Sequence, residues 1–232
     1  MQDPVDLMRD RKSWRVPFDP ARSVVKEDLD RVLEAARWTP SAHNMQNWEI
    51  VVVDDPEVLG ALSMVERPIS EVFIRENYEQ LSFSEKELRT KKTGLLATMF
   101  PPAWRDPDFR LDKADETELA SLQRSLPASP VLLVVVYDPS RRAPASEGDF
   151  LGIMSLGCVM ENMWLAAGAR GIAMQIVSSL SSGNEVKAIL GIPDDRIIAF
   201  SCRLGHVASE PAGYLRVRRD VEDFTHHNRF GA

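Results

Sequence analysis

Apolar residues at Leu29, Val32, Leu33 and Ala36 fall at i, i+3, i+4 and i+7. That is the spacing of one buried helix face, so a helix is predicted over about residues 26–37, with Pro40 helping to stop it. Trp48-Glu-Ile-Val-Val-Val53 predicts a strand closed by the turn Asp54-Asp55-Pro56, and Pro56 opens a short helix to about Met64. Val131–Tyr137 is an unbroken apolar run of seven residues ended by Asp138-Pro139, which predicts a strand buried on both faces. Residues 149–168 are apolar on almost every side, through Ile153, Leu156, Val159, Met160, Met163, Trp164 and Leu165. Such a helix belongs at the centre of a protein or in a subunit interface, with Gly168 or Gly171 supplying its C-terminal turn. Ile172–Val177 and Arg196–Leu204 predict two further strands around a helix capped by Ser182-Gly-Asn-Glu185 and ending at Leu190-Gly191.

Residues 65–127 break this rhythm. Charges alternate there with Tyr78, Phe83, Phe100, Trp104 and Phe109. Ser84-Glu-Lys-Glu87 is a capping box opening a helix of about a dozen residues. Pro101-Pro102 and Asp106-Pro107 force an irregular loop, and a further helix is expected over 115–124. The stretch reads as a helical excursion from the main body, either a cover over a site or surface decoration. With no internal repeat and no linker, strands interspersed with helices around one apolar helix indicate a single layered domain of 1–232.

Composition narrows the chemistry. The net charge is −7 and the pI about 5.2, which excludes a nucleic-acid binder held by phosphate contacts. The longest apolar run is far short of the roughly 20 residues of a membrane span, so no membrane association is expected. The first residues lack the basic and apolar regions of a secretory signal. Cys158 and Cys202, the only cysteines, fit no zinc or redox spacing and read as buried reduced thiols. A cytoplasmic location is the expectation. Against the acidic background, Arg9, Arg11, Lys12 and Arg15 cluster near one end and Arg216, Arg218 and Arg219 near the other. They are either solvated surface or the two halves of a small-anion site.

The strong signatures of nucleotide and metal chemistry are missing: no GxGxxG after a strand, no phosphate loop, no HExxH and no GxSxG. The four histidines, His43, His206, His226 and His227, have no metal-ligand spacing. What remains is a cationic segment, Arg11-Lys-Ser-Trp-Arg15, whose forks and hydroxyl suit phosphate oxygens. A polar loop, Pro40-Ser-Ala-His-Asn-Met-Gln-Asn-Trp48, offers donors and acceptors to a heteroaromatic ring, or simply caps a turn.

Together these segments resemble the FMN-dependent nitroreductase family. The family's Arg-Arg-Ser-x-Arg opening is matched by Arg11–Arg15 followed by Phe18-Asp19, and its Pro-Ser-x-x-Asn-x-Gln-Pro-Trp loop by Pro40–Trp48. Its central helix and following strand are matched by Gly171-Ile-Ala-Met-Gln-Ile-Val-Ser178, and its close by Arg216-Val-Arg-Arg219 through His227–Gly231. Lys12 stands for an arginine, Asn47 for a proline, and Ser178-Ser179 for a Glu-Gly pair, which bears on subgroup and substrate.

The resemblance implies an α+β, three-layer α-β-α fold with a mainly antiparallel sheet, assembled as an intertwined homodimer. It implies FMN as cofactor, with Arg11, Lys12, Ser13, Arg216 and Arg218 around its phosphate and ribityl chain. Arg15, and by a weaker alignment Arg124, would lie at the edge where reduction builds negative charge. Pro40, Ser41, Ala42 and Asn44 would reach the flavin of the opposite subunit, and Ile176, Val177 and Ser178 would line its other side. NAD(P)H would deliver electrons and a nitroaromatic, quinone or similar flat acceptor would take them in turn, a ping-pong scheme that demands no protein acid or base. Phe83, Phe100, Trp104 and Phe109 are candidates for an aromatic acceptor cover. A specialised flavin reaction on the same fold, reductive dehalogenation or flavin fragmentation, and a non-catalytic FMN-binding module are the alternatives.

Overall fold

A computed structural model describes residues 3–65, 71–96, 108, 129–144, 146–177, 180, 183–208 and 215–231. It separates into two compact units, one of residues 1–67 and 122–210, the other of 68–121 and 211–232.

The first unit begins with α1 (Pro4–Asp10), whose N-cap Asp3 accepts a hydrogen bond from the Val5 amide. Then come α2 (Lys26–Arg37), β1 (Trp48–Val53) and α3 (Pro56–Met64), as the periodicity predicts. In the second unit, α4 (Glu71–Glu76) runs into a π-helical turn, β2 (Ser82–Phe83) pairs parallel with β3 (Leu95–Leu96), and α5 (Glu85–Lys91) lies between them. The capping box at Ser84 and Glu87 forms. The helix it opens has seven residues rather than a dozen, because Lys92 turns left-handed at φ 54° and accepts the role of C-cap. The first unit resumes with β4 (Val131–Tyr137), α6 (Phe150–Ala169), β5 (Ala173–Val177), α7 (Asn184–Leu190) and β6 (Ile197–Gly205). The N-cap of α7 is Gly183, with no side-chain cap bond, in place of the serine cap expected at 182. The expected loop at 101–107 and helix at 115–124 lie outside the described residues.

The sheet runs β1-β4-β6-β5 and every pairing is antiparallel. Alternation along β4 divides the core. Val131, Leu133 and Val135 meet Val32 and Ala36 of α2 and Val159 and Met163 of α6. Leu132, Val134 and Val136 meet Leu59 and Leu62 of α3 and Val186 of α7. A strand with apolar side chains on both faces needs a helix layer on each, and the three-layer α+β arrangement follows. By length and composition alone α6 is long and apolar enough to cross a membrane. Here Leu156, Val159, Met163, Trp164 and Ala167 bury one side of it against the sheet. Cys202 is buried in that core, where burial pushes its thiol up. Cys158 was expected to be buried too, but α6 turns it outward and it is exposed.

Asp138 ends β4 as a buried carboxylate. Its Oδ1 accepts from the Ser140 amide and hydroxyl at 2.9 and 2.6 Å, and Oδ2 pairs with Arg196 at 3.1 Å and Arg141 at 3.4 Å. The Ser140 hydroxyl bond foremost, with the two guanidinium groups, holds the carboxyl below the usual aspartate range. A depressed folded-state pKa gives stability that is complete above the ordinary aspartate range and lost as pH falls through the folded value. Asp138→Ala should therefore cost about 2 kcal/mol at neutral pH, discounted for the partial exposure of Arg196, and much less in acid. Urea denaturation across that pH range checks this; an equal cost at both ends would remove the ion pairs from the account.

Candidate functional site

Residues 11–19 lie along β5 and the end of β6. The Trp14 amide donates to the Met174 carbonyl at 3.2 Å, Asp19 N to His206 O at 2.8 Å, and Phe18 bridges Val207 antiparallel. Phe18 is 1% exposed and seats against Gly205, where a Cβ would stand 2.8 Å from its ring. Only a glycine lets the segment approach this closely, so the fold itself presses the cationic motif against β5.

Beside this segment opens a cavity of about 360 Å³, lined by Arg11, Lys12, Trp14, Trp164, Leu165 and Ile172 among others. That size lies within the range of small-molecule sites. The cations of the segment, of which Arg11 and Lys12 line the cavity, are not equivalent. Arg11 stacks on the Trp164 ring at 4.4 Å and its Nε is 3.1 Å from Glu161 Oε1, while the Trp164 indole donates to the Lys12 carbonyl at 3.0 Å. Lys12 and Arg15 are exposed and make no ion pair among the described residues. Arg11 is thus part of the packing of α6, and Lys12 and Arg15 are the cations left for an anion.

The polar loop is held by the other part of α6. Asn162 Nδ2 donates to Thr39 Oγ1 at 2.9 Å, and the Ala42 amide to Ser155 Oγ at 3.4 Å. Ser41 Oγ accepts from Gln46 N at 3.0 Å, and Gln46 Nε2 donates to Asn44 Oδ1 at 3.2 Å. His43, Asn44 and Gln46 all have positive φ, at 52°, 55° and 44°. Non-glycine residues in that region carry strain that the surrounding structure must hold, and such strain gathers at ligand sites. A second cavity of about 320 Å³ opens on Gln46 and Trp48.

Of the residues read from sequence, Arg11, Lys12, Ser13 and Arg15 stand on one segment running beside β5, which carries Ile176 and Val177. Pro40, Ser41, Ala42 and Asn44 form the loop on α6. Phe83 is buried in the second unit, with the Lys91 ammonium 4.5 Å from its ring. Arg216 and Arg218 are exposed on an irregular segment of that unit. Phe100, Trp104, Phe109, Arg124 and Ser178 lie outside the described residues. Sequence reasoning missed Ser155, Glu161 and Asn162, whose signal was polarity at three positions of an otherwise apolar helix. It also missed Arg203, a lone charge inside a strand.

Solved structures of other proteins share this fold. The chain is 14% identical to a nitroreductase family protein from Clostridium novyi NT, with a TM-score of 0.61 over 89% of this chain and 86% of that one. A Bacteroides fragilis nitroreductase solved with bound FMN is 20% identical, TM-score 0.55, over 92% and 95% of the two chains. At these identities the likeness shows the fold. Bacillus subtilis YdgI, named provisionally as an NAD(P)H nitroreductase, is 40% identical over 55 residues, 24% of this chain and 26% of that protein. A CLA biosynthesis enone reductase of Lactiplantibacillus plantarum is 42% identical over 55 residues, 24% of this chain and 25% of that protein. The chain thus spans about a quarter of the length of these curated relatives. The Nitroreductase family model, by contrast, matches residues 8–206. With most of its length matched, the chain belongs to the Nitroreductase family.

Proposed function

We propose that the chain is an FMN-dependent oxidoreductase that passes electrons from NAD(P)H to a nitroaromatic, quinone or similar flat acceptor. The observation that carries this reading is the cationic segment hydrogen-bonded to β5 beside a ligand-sized cavity, with Lys12 and Arg15 exposed and not ion-paired. The bound-FMN relative supports it. The donor set fits the cofactor: ammonium and guanidinium groups for a phosphate dianion, and backbone along Ile176–Val177 for a ring edge.

When bound, FMN supplies the two-electron chemistry, and the chain supplies binding and electrostatics. Lys12 and Ser13 would hold phosphate and ribityl oxygens, a role that the family pattern also gives to Arg216 and Arg218. Arg15 places a fixed cation where negative charge develops, which favours the reduced state. Ile176 and Val177 exclude water from one side. In a homodimer, Ser41, Ala42 and Asn44 border the flavin bound by the partner. Donor and acceptor would use one cavity in turn. The enone reductase relative favours a conjugated enone as a second acceptor class.

The purified protein is expected to be yellow, with an FMN spectrum that NADH or NADPH bleaches under anaerobic conditions and a quinone, nitroaromatic or enone restores. A colourless protein that takes up no FMN on titration would overturn the reading. A bound flavin that neither nucleotide reduces would leave a binding module. Dehalogenated or flavin-fragment products would assign the specialised reactions instead.

A further inference from the structure

The guanidinium of Arg203 lies in the interior of the sheet, 2% exposed, on β6. Its Nε donates to Gln175 Oε1 at 2.7 Å, across the ladder to β5. Nη2 donates to the Val16 carbonyl at 2.6 Å, and Nη1 reaches Ser129 Oγ at 3.5 Å. The Phe18 ring stacks on its carbon at 4.2 Å. Burial brings its pKa down to about 10, so the group is still a cation at neutral pH. Taking a cation out of water is costly unless its donors are matched. A neutral side chain would fill the same volume without that penalty. The cost is accepted where β5, with Ile176 and Val177, lies beside the segment that carries Ser13 and Arg15.

We propose that Arg203 is a positioning residue for the flavin site, its planar fork fixing the Arg11–Phe18 segment against β5 and so setting Arg15 relative to Ile176 and Val177. The contact division supports this. Nε is spent on the strand, Nη2 on the carbonyl one residue after Arg15, Nη1 on Ser129, and the flat face on Phe18. A lysine, with a single point of charge, cannot span these partners. The segment is also tied on either side of this point: the Trp164 indole donates to Lys12 O, Trp14 N to Met174 O and Ala208 N to Pro17 O, and Phe18 bridges Val207. The fork holds the Val16 carbonyl between those ties, and without it residues 15 and 16 can shift against the strand edge. Arg15 then loses its fixed place, so FMN binds more weakly and the bound flavin becomes harder to reduce.

The role rests on the flavin reading, and the test separates the two. Amide hydrogen exchange of the apoprotein follows residues 13–18 in wild type, Arg203→Met and Arg203→Lys. FMN titration and the midpoint potential follow the same three proteins. In both variants exchange at 14–18 is expected to rise about tenfold or more, with the β4 amides unchanged. FMN is expected to bind about tenfold more weakly, with a more negative potential. Unchanged exchange at 14–18 would overturn the proposal. So would unchanged FMN affinity and potential despite a lowered melting temperature, which would make Arg203 a stability element only. Wild-type behaviour in Arg203→Lys would overturn the role of the fork. If the wild type binds no FMN, the flavin reading falls while the exchange measurement still decides whether Arg203 positions the segment. Should Arg203→Met fail to fold, Gln175→Met removes the β5 contact alone and is expected to raise exchange at 14–18 in the same direction; no rise there would overturn the proposal.

Discussion

Lys12→Ala and Arg15→Ala, made together, should abolish FMN retention while leaving the fold intact. Each cation is exposed and outside the ion-pair network, so its removal costs the apoprotein within about 0.5 kcal/mol. Toward a phosphate dianion or a reduced ring edge, a charge-assisted bond contributes roughly 1.5–3 kcal/mol. Two such losses weaken binding by about 100-fold or more. Arg11→Ala is the informative contrast. That guanidinium stacks on Trp164 and pairs with Glu161, so its loss should lower the melting temperature before it lowers affinity. Calorimetric titration of the apoproteins with FMN, beside their thermal unfolding, separates the two patterns. An unchanged dissociation constant in the double variant would show that the exposed cations are solvated surface.

The elements positioned by apolar periodicity were legible: α2, β1, α3 and β4 have the bounds that Leu29–Ala36, Trp48–Val53, Pro56 and Val131–Tyr137 predict. Each buries a face, and burial is what writes a period into sequence. α1 buries no residue, so it carries no period, and it was not predicted. The helix after Ser84 was overextended because a capping box fixes where a helix begins and says nothing of where Lys92 ends it. Residue types at the site were legible as well, since a cationic triplet and a polar loop are local patterns. Their division of labour was not. That Arg11 serves α6 while Lys12 and Arg15 face outward depends on Trp164 and Glu161, some 150 residues away in sequence. The anchoring of the polar loop was hidden the same way, since Thr39 and Ala42 are held by Asn162 and Ser155, more than 100 residues on.

Gly157→Phe, and separately Ile153→Glu, should convert a homodimer of twice 26.1 kDa into monomer that has lost most of its bound FMN. On α6, Phe150, Ile153, Met154, Gly157 and Cys158 recur at i, i+3, i+4, i+7 and i+8, and all are exposed. Phe150, Ile153 and Met154 are 66%, 58% and 54% exposed. An apolar stripe of that spacing is the face a helix buries, and the sheet already covers the opposite one. Burying such side chains contributes about 1.5–3 kcal/mol each, doubled by two-fold symmetry, against an association cost of about 4–15 kcal/mol. A Cβ on Gly157 would meet nothing within 4 Å, so phenylalanine fits the isolated chain and obstructs only a second helix approaching closely. Glutamate at 153 puts two like charges into the two-fold contact, where each lacks water and a partner. Because the loop held by Ser155 and Asn162 sits on the same helix, loss of the dimer removes Ser41, Ala42 and Asn44 from the partner's flavin. Conversely, FMN should tighten the wild-type dimer by mass action. Sedimentation velocity with absorbance at protein and flavin wavelengths reads mass and occupancy together. A wild-type species of 26.1 kDa saturated with flavin would refute the shared site, and dimers of unchanged affinity in both variants would move the interface off α6.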